Sequence, residues 1–237
     1  MAIDYQSLLR EPKDASVYER IGRASAGNID KTGCFYHVIT KSNDGATIFH
    51  TEAGSYRHNL LCRLCEERGI TILFSVTMPN HTHDVFLTPR WELLAEVFKN
   101  LNMNLTKFLR RKNPKRYKEG LRILRRYPTY IAVRSIVALF YLGKYIYDNP
   151  EHLRKDGKYT PNDCFWMFEK EYFPEAYDIT IYKRLFNLTP KEILDVYSRL
   201  SADQVMDYAR KKFAGWTEAQ TKAVFYKSSG KDPSRCR

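Results

Sequence analysis

Long apolar runs are missing from this chain. The longest candidate, "SIVALFYLG" at 135–143, falls well short of the roughly 18 residues that a bilayer crossing needs, so no membrane partner is expected. The opening stretch, "MAIDYQSLLREPKDAS", has neither an apolar core nor a cleavage pattern, and export is not expected either. Cysteine is scarce and unpaired in pattern. The five residues Cys34, Cys62, Cys65, Cys164 and Cys236 are odd in number and scattered, which argues against a disulfide framework. Cys62 and Cys65 have the Cys-x-x-Cys spacing, but the second pair that a structural zinc site would want is absent. They fall in "YRHNLLCRLCEERG", an amphipathic helical pattern with Leu60, Leu61 and Leu64, and are expected to be small buried side chains. Together these absences predict an intracellular, cytoplasmic protein.

Acidic residues are also few where bases concentrate. The formal net charge is +12. Between Lys107 and Tyr127 lie ten basic residues, Lys107, Arg110, Arg111, Lys112, Lys115, Arg116, Lys118, Arg122, Arg125 and Arg126, against the single acid Glu119. An excess so concentrated favours a polyanion, nucleic acid first, and predicts a phosphate-binding surface and nucleoid association. Tyr117 and Tyr127 are interleaved and could stack on bases. With 43% hydrophobic and 14% aromatic residues the chain has the material for a folded core, which excludes a disordered basic tail as the whole answer.

The pattern of elements alternates. "CFYHVITKSNDGATIF" (34–49) predicts a hairpin, and "GSYRHNLLCRLCEERG" a helix ended by Gly69. "ITILFSVTM" (70–78) predicts a central strand, with "HTHDVFL" as its hairpin partner. "WELLAEVFKNLNMNLTKFLRRK" (91–112) has helical apolar spacing, "TYIAV" (129–133) is strand-like, and "SIVALFYLGKYIYD" (135–148) predicts a helix closed by Asn149-Pro150. The fold class expected is α+β, helices against a mostly antiparallel sheet. Residues 1–30 read as a polar lead, 31–155 as the main domain and 156–237 as a helical extension. In that extension, Ser/Thr-x-x-Glu/Gln capping boxes start helices at Thr189/Glu192, Ser201/Gln204 and Thr217/Gln220. Such helices could form a DNA-binding unit or pack on the parent domain; the second is expected.

Two stretches could carry chemistry. In "TMPNHTHDVF" (77–86) a strand puts His81 and His83 on one face and Thr82 on the other, so two imidazoles could share a divalent cation. In "GKYIYDNP" (143–150) a helix puts Tyr145 and Asn149 on one face, with Tyr147 pointing elsewhere. An amide oxygen is a reasonable third ligand for Mg²⁺ or Mn²⁺, and an activated tyrosine is a competent nucleophile for phosphorus. Taken alone, each of these residues could equally be packing or surface.

"MPNHTH" resembles the Met-Pro-Asn-His-hydrophobic-His signature of REP-associated tyrosine transposases, a single-tyrosine branch of the HUH single-strand nucleases. "YIYDNP" resembles that family's Tyr-Ile-x-x-Asn-Pro helix, and "FYHVITKSNDGATIF" is similar to its first hairpin. The resemblance runs from about residue 33 to 152. It implies a ferredoxin-like (RRM-like) fold, His81, His83 and Asn149 as ligands of Mg²⁺ or Mn²⁺, and Tyr145 as the nucleophile. It also implies hairpin-containing single-stranded DNA as partner, cut and rejoined through a 5′-phosphotyrosine, with a homodimer left open. The chain departs from the pattern at Thr82, usually aliphatic, and in the run after Asn149-Pro150. Tyr141 and Tyr145 form Tyr-x-x-x-Tyr, a spacing that resembles two-tyrosine replication initiators. Two other readings are kept: a non-catalytic nucleic-acid-binding module on the same fold, and a zinc hydrolase using His81 and His83. The hydrolase reading is weakened because Asp84 directly follows the second histidine.

Overall fold

The computed structural model describes residues 35–155, 165–166, 180–217 and 220. In chain order the elements are β1 (Phe35–Lys41), a 3-10 turn (Asn43–Gly45), α1 (Thr51–Glu66), β2 (Thr71–Thr77), β3 (His81–Leu87), α2 (Trp91–Lys112) and β4 (Thr129–Ala132). Next come α3 (Ile136–Lys155), the two-residue β5 (Phe165–Trp166), α4 (Thr180–Phe186), α5 (Pro190–Arg199) and α6 (Ala202–Lys212). The strands form one antiparallel sheet in the order β4-β1-β3-β2-β5. Up to β4 this is β-α-β-β-α-β with the order 4-1-3-2, the ferredoxin-like arrangement expected.

Side chains alternate across this sheet and sort into two cores. Tyr36, Val38, Ile72, Phe86 and Tyr130 meet α1 and α2 through Leu60, Leu61, Leu94, Phe98 and Leu101. On the other face, Phe35, Phe74, Val76, Val85 and Leu87 meet α3 and the C-terminal helices, with Phe140, Tyr182, Phe186 and Tyr197 among the contacts. Cys62 and Cys65 are buried thiols of the first core, neither in a disulfide, as their helical setting predicts, and Cys62 Sγ lies 3.6 Å from His58 Nε2. Among the described residues no helix is long and apolar enough to cross a membrane.

The C-terminal helices are built into the sheet's second face, as expected. Tyr182 donates its hydroxyl to the Leu73 carbonyl of β2, and Tyr197 donates to the Phe140 carbonyl of α3 at 2.6 Å. Capping boxes at Thr189 and Ser201 start α5 and α6. The third box is also formed, Gln220 N–H donating to Thr217 Oγ1 at 3.3 Å, although the rest of the helix expected there lies outside the described residues.

Four details depart from the expectations. The run 46–49 is no hairpin strand: after the 3-10 turn its N–H groups turn to the β2–β3 connection, Ile48 and Phe49 both donating to Pro79 O at 2.9 and 3.0 Å. β1 instead pairs with β3 and β4. β2, buried at nearly every position, pairs with β3 along its length but on its other side only with the two-residue β5, so it is less central than expected. The helix ending near Gly69 starts earlier than expected, at Thr51; Gly69 takes a φ of 62° and Ile70 N–H returns to Cys65 O at 2.9 Å, closing the last turn. Finally, α3 runs through Pro150. The proline cannot donate to Ile146 O, but the Asn149 side chain donates to Tyr145 O at 2.9 Å and adds a bond one carbonyl earlier.

Candidate active site and basic surface

Strand β3 has a structural row and a reactive row. Its even residues face α1, where Arg57 is fully buried. The Arg57 guanidinium meets Asp84 at 2.5 Å and donates to Thr82 Oγ1 at 3.0 Å and Thr77 Oγ1 at 3.3 Å. Ser75 Oγ donates to Asp84 Oδ1 at 2.6 Å, and Thr82 Oγ1 to Asp84 Oδ2 at 3.0 Å. The unusual Thr82 is thereby explained: its hydroxyl has partners that an aliphatic residue would not supply. Asp84 points away from the histidines and is fully committed, which removes it as a ligand on their side.

The odd residues of β3 carry the imidazoles. His81 sits opposite Lys41 and His83 opposite Ile39 in the register with β1. His81 and His83 have ring centroids 4.9 Å apart. His81 Nδ1 lies 2.6 Å from Asn80 Oδ1. An amide oxygen only accepts, so Nδ1 carries the proton and Nε2 the lone pair. Asn80 is held in turn, its carbonyl accepting from Ser42 N–H at 2.8 Å. A third histidine, His37 of β1, joins the cluster: its Nε2 is 3.0 Å from His83 Nδ1, with the rings stacked at 5.2 Å. Sequence reasoning missed it; the available signal was one imidazole in the otherwise apolar "FYHVI". Burial lowers all three histidines, His37 to about 3 and His81 to about 4, the latter helped by the Lys41 charge. His83 falls well below its ordinary value through burial, then through His37, His81 and Lys41. All three are therefore neutral at pH 7.

Helix α3 brings the phenol. Tyr145 packs edge-on against His83 of the same chain, ring centroids 5.5 Å apart. The cause is local: α3 lies on the histidine face of the sheet, and Gly143 lets it approach. A Cβ there would overlap the Tyr197 hydroxyl and come within 2.7 Å of the Phe74 ring. Lys144, next to Tyr145, is buried and ties α3 to α5, donating to Tyr197 O and to Asp148 Oδ1 at 2.7 Å each. Burial raises the Tyr145 phenol, and a hydrogen bond from the Asn149 side chain partly opposes this. Asn149 is itself only 7% exposed. Tyr141 is in the core, where burial and the Asp203 and Asp148 carboxylates push it up to about 12. Tyr147 packs on Tyr197.

Of the three residues expected to hold a cation, His81 and His83 adjoin one another on one face of β3, and Asn149 sits on α3 with its amide nitrogen donating to Tyr145 O. Among the described residues no group of three or more His, Cys, Asp or Glu is arranged to hold a metal ion. Two neutral imidazoles, each with Nδ1 engaged, are nevertheless donors of the kind that would suit a divalent cation.

The basic segment is folded rather than extended. Arg110, Arg111 and Lys112 complete the last turn of α2, where cations complement the helix C-terminus. Arg110 donates to Leu121 O at 3.1 Å and Arg116 to Thr47 O at 2.9 Å, while Lys112 pairs with Glu52. Tyr117 is 5% exposed, packed with Ile48, Leu105 and Ile123, so it offers no stacking face; Tyr127, 46% exposed, does. Lys107, Lys115, Arg122, Arg125 and Arg126 are exposed. Arg125 N–H bonds to Lys41 O at 2.9 Å, and Ser42 bridges to Leu124. Through Lys41, which faces His81 across the register, the basic loop adjoins the histidine end of the sheet.

Residues 30–132 match the family model described as "Transposase IS200 like". That stretch takes in β1 to β4 with His37, His81 and His83, and ends before Tyr145 and Asn149. No curated protein matches the chain. Among solved structures, one described as the structure of the REP associates tyrosine transposase bound to a REP hairpin is similar. The identity is 18% and the TM-score 0.44, over 62% of this chain and 86% of that one.

Proposed function

With residues 30–132 a domain of the IS200-like transposase family, a family of DNA-rearranging enzymes, we propose that this chain cuts and rejoins single-stranded DNA through Tyr145. The observation that carries this reading is the Tyr145 ring against His83, 5.5 Å between centroids, within one chain. Tyr145 Oη attacks the scissile phosphorus in line. A 5′-phosphotyrosyl bond forms, the bond to the 3′-oxygen breaks, and that oxygen leaves with a proton as a free 3′-hydroxyl. Attack by a second 3′-hydroxyl reverses the step and restores the phenol, so strands are joined without a nucleotide cofactor.

His81, His83 and Asn149 are the residues that would hold Mg²⁺ or Mn²⁺, which when bound would neutralise and orient the scissile phosphate. Burial raises the pKa of Tyr145, so the phenol is protonated at pH 7 and must give up its proton as it attacks. Lys41, Arg122, Arg125 and Arg126 hold the phosphates on the adjoining surface, and Tyr127 offers a stacking face. A single-tyrosine mechanism is favoured over a two-tyrosine one because Tyr141 is 3% exposed and set among carboxylates that would repel a phosphate. DNA with hairpin structure is the substrate class we assign.

The test is covalent trapping. Protein, Mn²⁺ and labelled single-stranded hairpin oligonucleotides are resolved on a denaturing gel, comparing wild type with Tyr145→Phe. A metal-dependent adduct lost in the variant is the expected result. An adduct that survives moves the chemistry to another residue, and DNA binding without any adduct leaves a binding module.

A further inference from the structure

His37 lies outside the proposed donor set of His81, His83 and Asn149, yet its ring is in direct contact with His83. Its place results from register. His37 faces Val85 and Ile39 faces His83, so His37 and His83 are diagonal neighbours on one face of the antiparallel pair. His37 is fully buried and His83 is 5% exposed, so water competes little for the contact between them. In that contact, His37 Nε2 to His83 Nδ1 at 3.0 Å, one nitrogen must hold the proton and the other the lone pair. The two assignments have opposite consequences. If His37 donates, His83 Nδ1 is the acceptor and its proton sits on Nε2, where it blocks coordination. If His83 donates, its Nε2 is left with the lone pair.

We infer that His37 is a positioning residue: its Nε2 accepts the Nδ1–H of His83 and fixes both the ring and the tautomer in which His83 Nε2 can ligate a cation. The neighbouring ligand supports this from an independent contact. At His81 the Asn80 oxygen can only accept, so Nδ1 there must carry the proton. Both imidazoles then present Nε2, each held from behind by an acceptor on a well-fixed element. Asn80 is anchored through its backbone to Ser42, and His37 is in the central strand β1. Partners of this kind orient a ligand ring, and their loss typically costs about 10–100-fold in metal affinity. A carboxylate would do the same but would bring a buried negative charge to a face where the phosphate must approach. A neutral imidazole accepts the proton without that repulsion.

This inference rests on the cation-binding reading of the site, and the experiment separates the two. Long-range proton–nitrogen NMR of the full-length, histidine-labelled chain reads each tautomer directly in the metal-free wild type. Mn²⁺ affinity is then measured by water-proton relaxation for wild type, His37→Phe, which keeps bulk but has no acceptor, and His37→Gln, which restores one. The expected result is a proton on His83 Nδ1, a loss of about 10–100-fold in affinity in His37→Phe, and recovery of most of it in His37→Gln. A proton on His83 Nε2 in the wild type overturns the inference without recourse to any variant. So does His37→Phe binding Mn²⁺ as tightly as wild type. A wild type that binds no Mn²⁺ would refute the cation reading, and this inference with it.

Discussion

Arg57→Met is expected to be among the most destabilising single substitutions in this chain that leaves the histidine face untouched. It removes the guanidinium that meets Asp84 at 2.5 Å and donates to Thr82 and Thr77. The side chains of both ions are fully buried, so the Asp84 carboxylate is left with only the Ser75 and Thr82 hydroxyls and no counter-charge. Breaking such a pair on one side costs about 3–5 kcal/mol, against a total domain stability of about 5–15 kcal/mol. With a urea m-value of about 2 kcal/mol per molar, the unfolding midpoint should fall by roughly 1.5–2.5 M. Asp84→Asn keeps an oxygen that can accept from Arg57 and should lose less, about 1.5–3 kcal/mol, the value of hydrogen bonds to charge. The double variant should lose less than the sum of the singles, because each single strands a charge that the double does not. The assay is urea unfolding monitored by circular dichroism and tryptophan fluorescence, with coincident transitions required before free energies are compared. A loss below about 1 kcal/mol for Arg57→Met, or strictly additive singles, would refute the reasoning that this pair is what seats β3.

Three further outcomes are expected. Gly143→Ala should destabilise by about 1–3 kcal/mol and reduce adduct formation by Tyr145, since the added methyl displaces α3 from Phe74 and Tyr197; an unchanged melting temperature would count against that packing. Metal-free protein should lose stability as pH falls below about 6.5, because His37 and His81 take up protons when unfolded but stay neutral when folded until about 3 and about 4. Each contributes a slope of up to about 1.4 kcal/mol per pH unit between its two values, and denaturation midpoints equal at pH 7 and 5 would contradict it. Arg122→Ala and Arg125→Ala should each reduce the salt dependence of single-stranded DNA binding by about 0.7–1 in the log–log slope. An unchanged slope would mean that these side chains face solvent and no phosphate.

Much of the architecture could be read from residue patterns, and where it could not the reason is physical. The helical period of α2 runs uninterrupted from Trp91 to Lys112, so its bounds are legible. The "SNDG" segment does turn, with Asp44 and Gly45 at φ 55° and 70°, but the path of the chain beyond it is decided by distant groups. Ile48 and Phe49 find their acceptor in Pro79, and no local pattern encodes that. Pro150 is a helix breaker by propensity; neighbouring bonds and the packing of α3 override it. At the site, the His81–His83 spacing announces a shared face by itself. Its approach to Tyr145 depends on how α3 crosses the sheet, which Gly143 permits and Tyr197 and Lys144 secure from the C-terminal helices. His37 shows in the sequence only as one imidazole in an apolar run, because it reaches His83 through the diagonal of a strand register. The basic segment was legible as charge, but not as a folded unit that hides Tyr117 and shows Tyr127.

The division of β3 into two rows has a consequence for how this protein can vary. Thr82 and Asp84 need Arg57 on one side, and His81 and His83 need α3 on the other. A slip of β3 by one residue against β1 and β2 would exchange the rows, putting Asp84 on the phenol's side of the sheet and the imidazoles on the Arg57 side. A slip of two residues would restore the parity but pull the histidines away from Asn80 and Lys41. The hairpin is therefore length-locked: substitutions can accumulate along it, whereas changes in its length would be purged, and any graft of this site onto another sheet must carry over the connection from Met78 to Asn80 unaltered.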